Sequence, residues 1–234
     1  RRKKQDGTVA YDTTATRQNG DIWAVRAEGN LHGMLQDGFW KLKVYTYHSE
    51  RGIPGAIVNN VWKASQRQWD RNFFAQGRYQ TRVTDRYELM VNAKYARDYM
   101  RYLNPDTTLM YVDNRFWQDE LYLTGAHRVT VLPDWDISVS ADYQWNYLNS
   151  TLVNFAYPTR HTGMVAVATA YTWRSLKALA STLLTLVHDR STVRNDGVVL
   201  GQRRVWRHRF TPSVALSWQP VADAGLNLRA FYKR

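Results

Sequence analysis

Residues 135–146 have the sequence WDISVSADYQWN, in which apolar and polar side chains alternate without exception. The odd positions, from Trp135 to Trp145, are aromatic or aliphatic, whereas the even positions, from Asp136 to Asn146, are all polar. A period of two is typical of a β-strand with one apolar and one polar face. The segment therefore predicts a strand of about 12 residues, roughly twice the usual length in soluble sheets.

The same alternation is clear in residues 22–35 and 87–98, and it is weaker in seven further segments. Both faces of residues 177–188 are apolar, so the sequence does not assign a facing to that strand. The ten predicted strands are Ile22–Leu35, Phe39–Ser49, Asn72–Val83, Tyr87–Asp98, Trp117–Val131, Trp135–Asn146, Thr162–Trp173, Lys177–His188, Phe210–Gln219 and Leu226–Tyr232.

Short and long connectors alternate between these strands along the chain. Short connectors of the Asp-Gly, Thr-Asp and Pro-Asp type are typical of tight turns between antiparallel neighbours. The pattern predicts an up-and-down meander with its short turns at one end and its functional loops at the other. The short connectors are Gln36–Gly38, Thr84–Arg86, Leu132–Asp134, Arg174–Leu176 and Pro220–Gly225, and the long ones are Glu50–Arg71, Met100–Arg115, Leu148–His161 and Asp189–His208.

Three features predict that the apolar face points outward to lipid. Strands of about 11 residues, tilted by about 40°, span close to 25 Å, the height of an outer-membrane apolar band. Aromatic residues recur at strand ends, where they would form two interfacial girdles. Charged residues lie in mid-strand on the polar face, where a dry core would leave them without partners. We expect a transmembrane antiparallel β-barrel with interface aromatics at Trp135, Trp145, Tyr87, Tyr95 and Trp173.

The composition excludes several other classes of protein. With 44% hydrophobic and 14% aromatic residues, the chain can bury more apolar surface than a disordered protein. No apolar run approaches 18 residues, so a helical membrane protein is excluded. The absence of cysteine removes disulfides, thiolate metal sites and cysteine nucleophiles. The 32 basic and 20 acidic side chains give a formal net charge of +12, which favours anionic partners.

Several stretches resemble the barrel of TonB-dependent outer-membrane receptors. The most specific is SERGIPGAIV at residues 49–58, together with QRQWD at 66–70 and the strand opening RNFFAQ at 71–76. Within the family, the chain is most similar to receptors for cobalamin or siderophore uptake. Supporting pieces are DELYL at 119–123, LPDW at 132–135 and LRAFYKR at 228–234.

The resemblance implies a barrel of about 22 strands, filled by a plug domain and opened by energy from an inner-membrane complex. Such a receptor lies in the outer membrane of a Gram-negative bacterium and imports a scarce, bulky nutrient. Because ten strands are under half of that circumference, we expect residues 1–234 to be a barrel segment that lacks the plug and the remaining strands. The segment would comprise five short-turn hairpins with long extracellular loops.

Two of the predicted loops combine basic and aromatic residues, which suits an anionic or ring-containing ligand. The loop Glu50–Arg71 contributes the candidates Arg51, Trp62, Arg67 and Trp69, although such residues also pack against neighbouring loops. The loop Asp189–His208 is rich in arginine and contributes Arg203 and Trp206. Phosphate groups of lipopolysaccharide are natural counter-ions for this second loop.

No motif in the sequence supplies catalysis, so we expect neither an enzymatic activity nor a cofactor. Small outer-membrane proteases use Asp and His at the barrel rim. Adjacent residues of a strand point to opposite faces, however, so His188 and Asp189 are not expected to form a general-base pair. The six histidines show no metal-ligand spacing. Nucleic acid would satisfy the basic charge, but regular strands leave little room for a module that reads it.

Two alternatives remain open from the sequence. The chain could be a self-contained small outer-membrane barrel that acts as a pore or protease. It could also be a soluble basic β-protein that binds polyanions.

Overall fold

The computed structural model describes residues 2–3, 5–11, 16–55, 64–108, 110–220 and 226–233. The described residues form twelve strands, and no helix among them is long and apolar enough to cross a membrane. Two short strands, β1 (Arg2–Lys3) and β2 (Val9–Tyr11), pair with each other. The other ten form one sheet: β3 (Ile22–Leu35), β4 (Gly38–Ile53), β5 (Gln66–Thr84), β6 (Tyr87–Asn104), β7 (Val112–Leu132), β8 (Trp135–Ser150), β9 (Thr159–Trp173), β10 (Leu176–Asn195), β11 (Val198–Trp218) and β12 (Leu228–Lys233).

The large sheet is an antiparallel up-and-down meander, as the sequence predicts. Each strand from β3 to β12 pairs with the next one along the chain. In the described part of the chain, β3 pairs only with β4 and β12 only with β11, so the ten strands form an open sheet. The end that carries the turns at 36–37, 85–86, 133–134 and 174–175 is called the turn end, and the opposite end the loop end.

The prediction of a long loop at Asp189–His208 is wrong. Strand β10 continues to Asn195, β11 begins at Val198, and the two residues between them close a tight hairpin. Asp196 and Gly197 both have positive φ, 47° and 80°, as a type I′ turn requires. The paired backbone continues far beyond the point where apolar side chains stop alternating, which is why the sequence pattern suggested a loop.

Other strands also extend further toward the loop end than predicted. Strand β6 ends at Asn104 rather than Asp98, and β7 begins at Val112 rather than Trp117. Their turn-end boundaries at Tyr87 and Leu132 lie within one residue of the predictions. Alternation of apolar and polar residues therefore marks only part of each strand.

Register places the alternate apolar positions of all ten strands on one face. Val139 of β8 lies opposite His127 of β7 and Val167 of β9. The same register resolves the facing of residues 177–188, since Leu184 lies opposite Val165 and Phe210. Even positions of β10 thus belong to the apolar face, and odd positions belong to the polar face.

No second layer of the described chain covers the apolar face. Ala96 is the only buried hydrophobic side chain among the described residues, and Val139 in mid-strand is 38% exposed. The polar face instead carries cross-strand pairs: Lys94 Nζ lies 2.8 Å from Glu120 Oε1, and the Tyr122 hydroxyl donates to Asp142 Oδ1 at 2.6 Å. Packing of the apolar face against another layer of this sheet is therefore excluded for the described residues.

Val139 and Ser140 offer a direct test of the two faces. If lipid covers the apolar face, Val139→Arg should lower the free energy of unfolding by about 2–4 kcal/mol, because a guanidinium would enter hydrocarbon. Ser140→Arg should cost less than about 1 kcal/mol, because the adjacent position faces water. Guanidinium-chloride unfolding in phospholipid vesicles measures both values. Equal costs for the two variants would contradict the assigned faces.

Candidate functional site

A hollow of about 710 Å³ lies on the polar face toward the loop end of strands β7–β11. We call it the polar hollow. Its side chains come from five neighbouring strands, which register brings together although they are far apart in sequence. The lining residues are Gln118, Gln144, Asn146, Leu148, Pro158, Thr159, Arg160, Thr162, Asp189, Arg190, Ser191, Arg203, Val205 and Arg207.

One carboxylate organises the charges of the polar hollow. Arg160 donates to Asp189 through Nε at 2.6 Å and Nη2 at 3.0 Å, and Arg207 Nη2 lies 3.8 Å from the same carboxylate. These residues lie beyond the apolar band, toward the loop end. The hydrogen bonds from Arg160 lower the pKa of Asp189 below its ordinary value and raise the pKa of Arg160. Asp189 therefore stays ionised at neutral pH.

The polar hollow has an excess of positive charge. Among the described residues, Arg203 meets no carboxylate, and Arg207 shares Asp189 with Arg160. On the polar face, the guanidinium groups of Arg160, Arg203 and Arg207 therefore share one carboxylate, whereas register places the fourth lining arginine, Arg190, on the apolar face. Side-chain amides of Gln144 and Asn146 and the hydroxyl of Thr162 add neutral donors and acceptors. Such a set can bind an anionic ligand through charge-assisted hydrogen bonds and orient its polar groups.

The structure separates the two candidates that the sequence placed together in one loop. Arg203 lies opposite Ser191 on the polar face and lines the polar hollow. Trp206 lies opposite His188 on the apolar face, where its ring stacks on the histidine at 4.1 Å and is 72% exposed. Because both residues are in β11, strand alternation sends them to opposite faces.

The candidates near the β4–β5 connector are not gathered into one site. Arg67 forms two ion pairs, from Nη2 to Asp21 Oδ2 at 2.8 Å and from Nε to Glu50 Oε1 at 2.8 Å. The pair with Asp21 links β5 to the segment that precedes β3. The hydrogen bond to Asp21 raises the pKa of Arg67, so Arg67 stays charged and paired with that carboxylate. Arg51 Nη2 lies 3.8 Å from Asp70 on the polar face. Trp62 lies outside the described residues.

Trp69 lies on the face opposite to Arg51 and contacts a guanidinium rather than open space. The Arg101 Cζ atom is 5.0 Å from the centroid of the Trp69 ring. Strands β6 to β10 separate this region from Arg203, so the predicted candidates do not form a single binding site. Their role in ligand binding stays a prediction.

The aromatic residues predicted at the membrane interfaces all lie on the apolar face, in two rows. Tyr87, Trp135 and Trp173 are beside the short turns, and Tyr95 and Trp145 both flank Leu121 further along the sheet. Trp135 and Trp145 are ten positions apart, about 33 Å along the strand and about 25 Å along a tilted barrel axis. Their contact with membrane interfaces stays a prediction.

The structure separates His188 from Asp189, the adjacent pair that was considered as a general base. His188 stacks on Trp206 on one face, while Asp189 binds Arg160 on the other, so the adjacent pair does not meet. No group of three or more His, Cys, Asp or Glu residues is placed to hold a metal ion in the described part of the chain.

Two features of the site were missed from the sequence, for different reasons. The Asp196-Gly197 pair is a strong local signal for a two-residue hairpin and could have been recognised. Arg160 was assigned to a loop, and nothing near it in sequence indicates Asp189 as its partner. Only the pairing of β9 with β10 brings these two side chains together.

No protein-family model matches the sequence, and no curated protein matches it as a relative. Among solved structures, the FrpB iron transporter from Neisseria meningitidis (F5-1 variant) is similar, with a TM-score of 0.64, 11% identity and coverage of 94% of this chain. Its apoprotein form gives a TM-score of 0.67 with 10% identity and 99% coverage. The unliganded ferric citrate transporter FecA gives 0.56, 10% and 93%.

The likeness covers nearly all of this chain but a minor part of each transporter. The chain spans 37% and 38% of the two FrpB chains and 36% of FecA. At these identities the likeness concerns the fold. The expected resemblance to part of a transporter barrel is therefore confirmed for the fold, with ten antiparallel strands in one meander.

An ion cluster on the apolar-face side of β6 and β7, beyond the apolar band, gives a pH prediction. Arg101 donates to Asp113 through Nε at 2.7 Å and Nη2 at 2.9 Å, and Arg115 donates to the same carboxylate at 3.1 Å. The hydrogen bonds from Arg101, followed by those from Arg115, lower the pKa of Asp113 from 3.8 to about 2. Ionised Asp113 therefore stabilises the fold above its unfolded-state pKa, and this contribution is lost as the pH falls from about 4 to about 2.

We expect Asp113→Asn to lower the unfolding midpoint in guanidinium chloride at pH 6, and to lower it much less at pH 2, where about half of the folded protein has a protonated Asp113. The control is Asp85→Asn, which removes an exposed carboxylate in the β5–β6 turn. If Asp113→Asn lowers the unfolding midpoint by the same amount at both pH values, the charge of the carboxylate is not what stabilises the cluster.

Proposed function

We propose that this chain forms part of the barrel wall of a TonB-dependent receptor in the outer membrane of a Gram-negative bacterium. The observation that carries the proposal is the apolar face of the meander, which no other layer of the described chain covers. In water such a face would drive aggregation, whereas lipid solvates it at no cost. The structural likeness to iron transporters supports the same assignment.

The polar face would then line the lumen of the barrel. Cross-strand pairs such as Lys94 with Glu120 are partly exposed and suit a water-filled interior. The polar hollow would lie on the lumen wall near the extracellular end, where an incoming nutrient meets the receptor. A transporter of this kind binds its ligand there before translocation, and the chain contributes part of that surface.

The excess of guanidinium groups in the polar hollow favours an anionic nutrient, such as a ferric chelate of the siderophore or citrate type. Arg203 and Arg207 are the groups most available to it, because Arg160 is engaged by both oxygens of Asp189. Cobalamin lacks a comparable density of negative charge and would depend on the amide and hydroxyl groups instead. We therefore favour an iron chelate over cobalamin.

The proposal requires parts that lie beyond these residues. The remaining strands would close the barrel against the open edges β3 and β12, and a plug domain would occupy the lumen. An inner-membrane energising complex would move the plug to release the nutrient. Lipid and lipopolysaccharide would cover the apolar face.

The structure gives no support to the two alternative functions. A self-contained ten-stranded pore or protease needs β3 and β12 to pair, and they do not pair in the described chain. A soluble polyanion-binding protein needs its apolar side chains in a core, whereas here they are exposed along one face.

Radiolabelled ligand uptake by intact cells tests the proposal. A strain lacking the gene is complemented with the unmodified protein and offered ferric citrate, ferric enterobactin, a neutral ferric hydroxamate and cyanocobalamin. We expect uptake of an anionic iron chelate that a protonophore abolishes. Arg203→Gln combined with Arg207→Gln should weaken its binding about tenfold or more, because two charge-assisted contacts are lost.

Arg204→Gln is the matched control, because Arg204 is the neighbour of Arg203 in β11 but faces the opposite side of the sheet. It should leave uptake unchanged. Absence of energy-dependent uptake for all four compounds would contradict the receptor proposal. Uptake of an anionic chelate that is unaffected by the double variant would exclude the polar hollow as its binding site.

A further inference from the structure

A second hollow, of about 640 Å³, lies on the apolar-face side of β4–β7. We call it the outer hollow. Its side chains divide into a lower aromatic part and an upper basic part, and both point away from the lumen. The residues that define it are Arg71, Phe73, Tyr95, Arg97, Tyr99 and Trp117.

The lower part of the outer hollow continues the apolar band. Phe73 and Tyr95 are 40% and 38% exposed, the next positions toward the turn end on the same strands and face are Ala75 and Ala93, and Leu121 lies opposite Tyr95. Acyl chains that cover the apolar band would therefore also contact Phe73 and Tyr95. This part of the hollow is suited to hydrocarbon.

The upper part presents two guanidinium groups and one carboxylate. Arg71 Cζ lies 5.6 Å from the Tyr99 ring centroid, and Arg71 Nε lies 3.4 Å from His48 Nε2. No carboxylate of the described residues contacts Arg71. Arg97 Nε lies 3.7 Å from Asp119 Oδ1, and this oxygen also accepts a hydrogen bond from the Tyr95 hydroxyl at 2.7 Å.

The height of the arginines matches that of lipid headgroups. Arg97 is two residues beyond Tyr95 on the same face, about 7 Å along the strand. On the neighbouring strand Phe73 lies opposite Arg97, and Arg71 lies opposite Tyr99, one step further toward the loop end. Interfacial aromatics such as Tyr95 mark the boundary of the hydrocarbon, so groups one or two steps further out lie at the level of the phosphorylated headgroup.

We propose that the outer hollow binds a phosphorylated glycolipid of the lipid A type, with phosphate on Arg71 and Arg97 and acyl chains on Phe73 and Tyr95. The inference rests on the outer-membrane location given under Proposed function. Charge complementarity favours this occupant, because two arginines outnumber one carboxylate in the two steps beyond Tyr95, where the headgroup of such a lipid carries phosphate. Tyr99 and Trp117, whose rings are 5.5 Å apart, would border the sugar headgroup.

The test uses the full protein, purified from outer-membrane fractions in mild detergent and depleted of lipid. The probes are diphosphoryl lipid A, the same lipid without phosphates, and inorganic phosphate. Diphosphoryl lipid A should raise the thermal unfolding midpoint by about 3 °C or more, because a ligand that binds only the folded state stabilises it. The other two probes should have less than half of this effect.

Variants locate the site. Arg71→Gln should weaken lipid A binding about fivefold or more, and it leaves no carboxylate unpaired among the described residues. Adding Arg97→Gln should weaken binding further, and Arg71→Lys should retain part of it. Arg78→Gln is the matched control, because Arg78 is on β5 but faces the lumen, where it donates to Gln80. If Arg97→Gln fails to fold, lipid A binding by Arg71→Gln and by Arg71→Lys still tests the site.

Several results would overturn the lipid site. Equal stabilisation by the dephosphorylated lipid would show apolar contact alone, and equal stabilisation by inorganic phosphate would show an anion site without lipid. A loss of binding in Arg78→Gln as large as in Arg71→Gln would also contradict the assigned face. If the protein is found in the outer membrane but lipid A has no effect, this inference fails and the proposed location stands. Absence of the protein from that fraction would refute both.

Discussion

Register between neighbouring strands is the constraint on which the rest of the structure depends. Backbone pairing fixes which residues of two neighbouring strands lie opposite each other. A slip of one residue would move every side chain of a strand to the other face. Because the pairing continues unbroken from β3 to β12, the alternate apolar positions of all ten strands coincide on one face. The sheet has no second layer in the described chain, which is why we propose that lipid covers its apolar face.

The same constraint separates two kinds of surface chemistry. Arg203 and Arg204 are adjacent in β11, yet one lines the polar hollow and the other lies on the apolar face. On the polar face, arginines gather around Asp189 where a soluble ligand could reach them. On the other face, Arg71 and Arg97 line a hollow together with aromatic side chains, and we propose a lipid headgroup as their partner. Part of the net charge of +12 therefore lies at two separate surfaces, for which we propose different ligands.

The sequence predicts the alternating part of each strand well. A membrane location would account for this, because hydrocarbon on one side and water on the other would enforce alternation there. Where alternation ends, the sequence predicts a loop, although β10 and β11 continue beyond that point. The Asp196-Gly197 turn could have corrected this error, since its signal is local. The pairing of Arg160 with Asp189 could not be predicted, because it depends on register between strands. The facing of residues 177–188 was likewise settled only by their neighbours.

The chain has no cysteine, so a spin label can be attached at any single position through one introduced cysteine. The most direct test of the assigned faces is a scan of residues 136–143 in lipid vesicles, with collision rates measured for oxygen and for a water-soluble nickel chelate. The account predicts that oxygen collisions peak at odd positions and nickel-chelate collisions at even positions, with a period of two. Collision rates that rise and fall together, or that show no period of two, would contradict it.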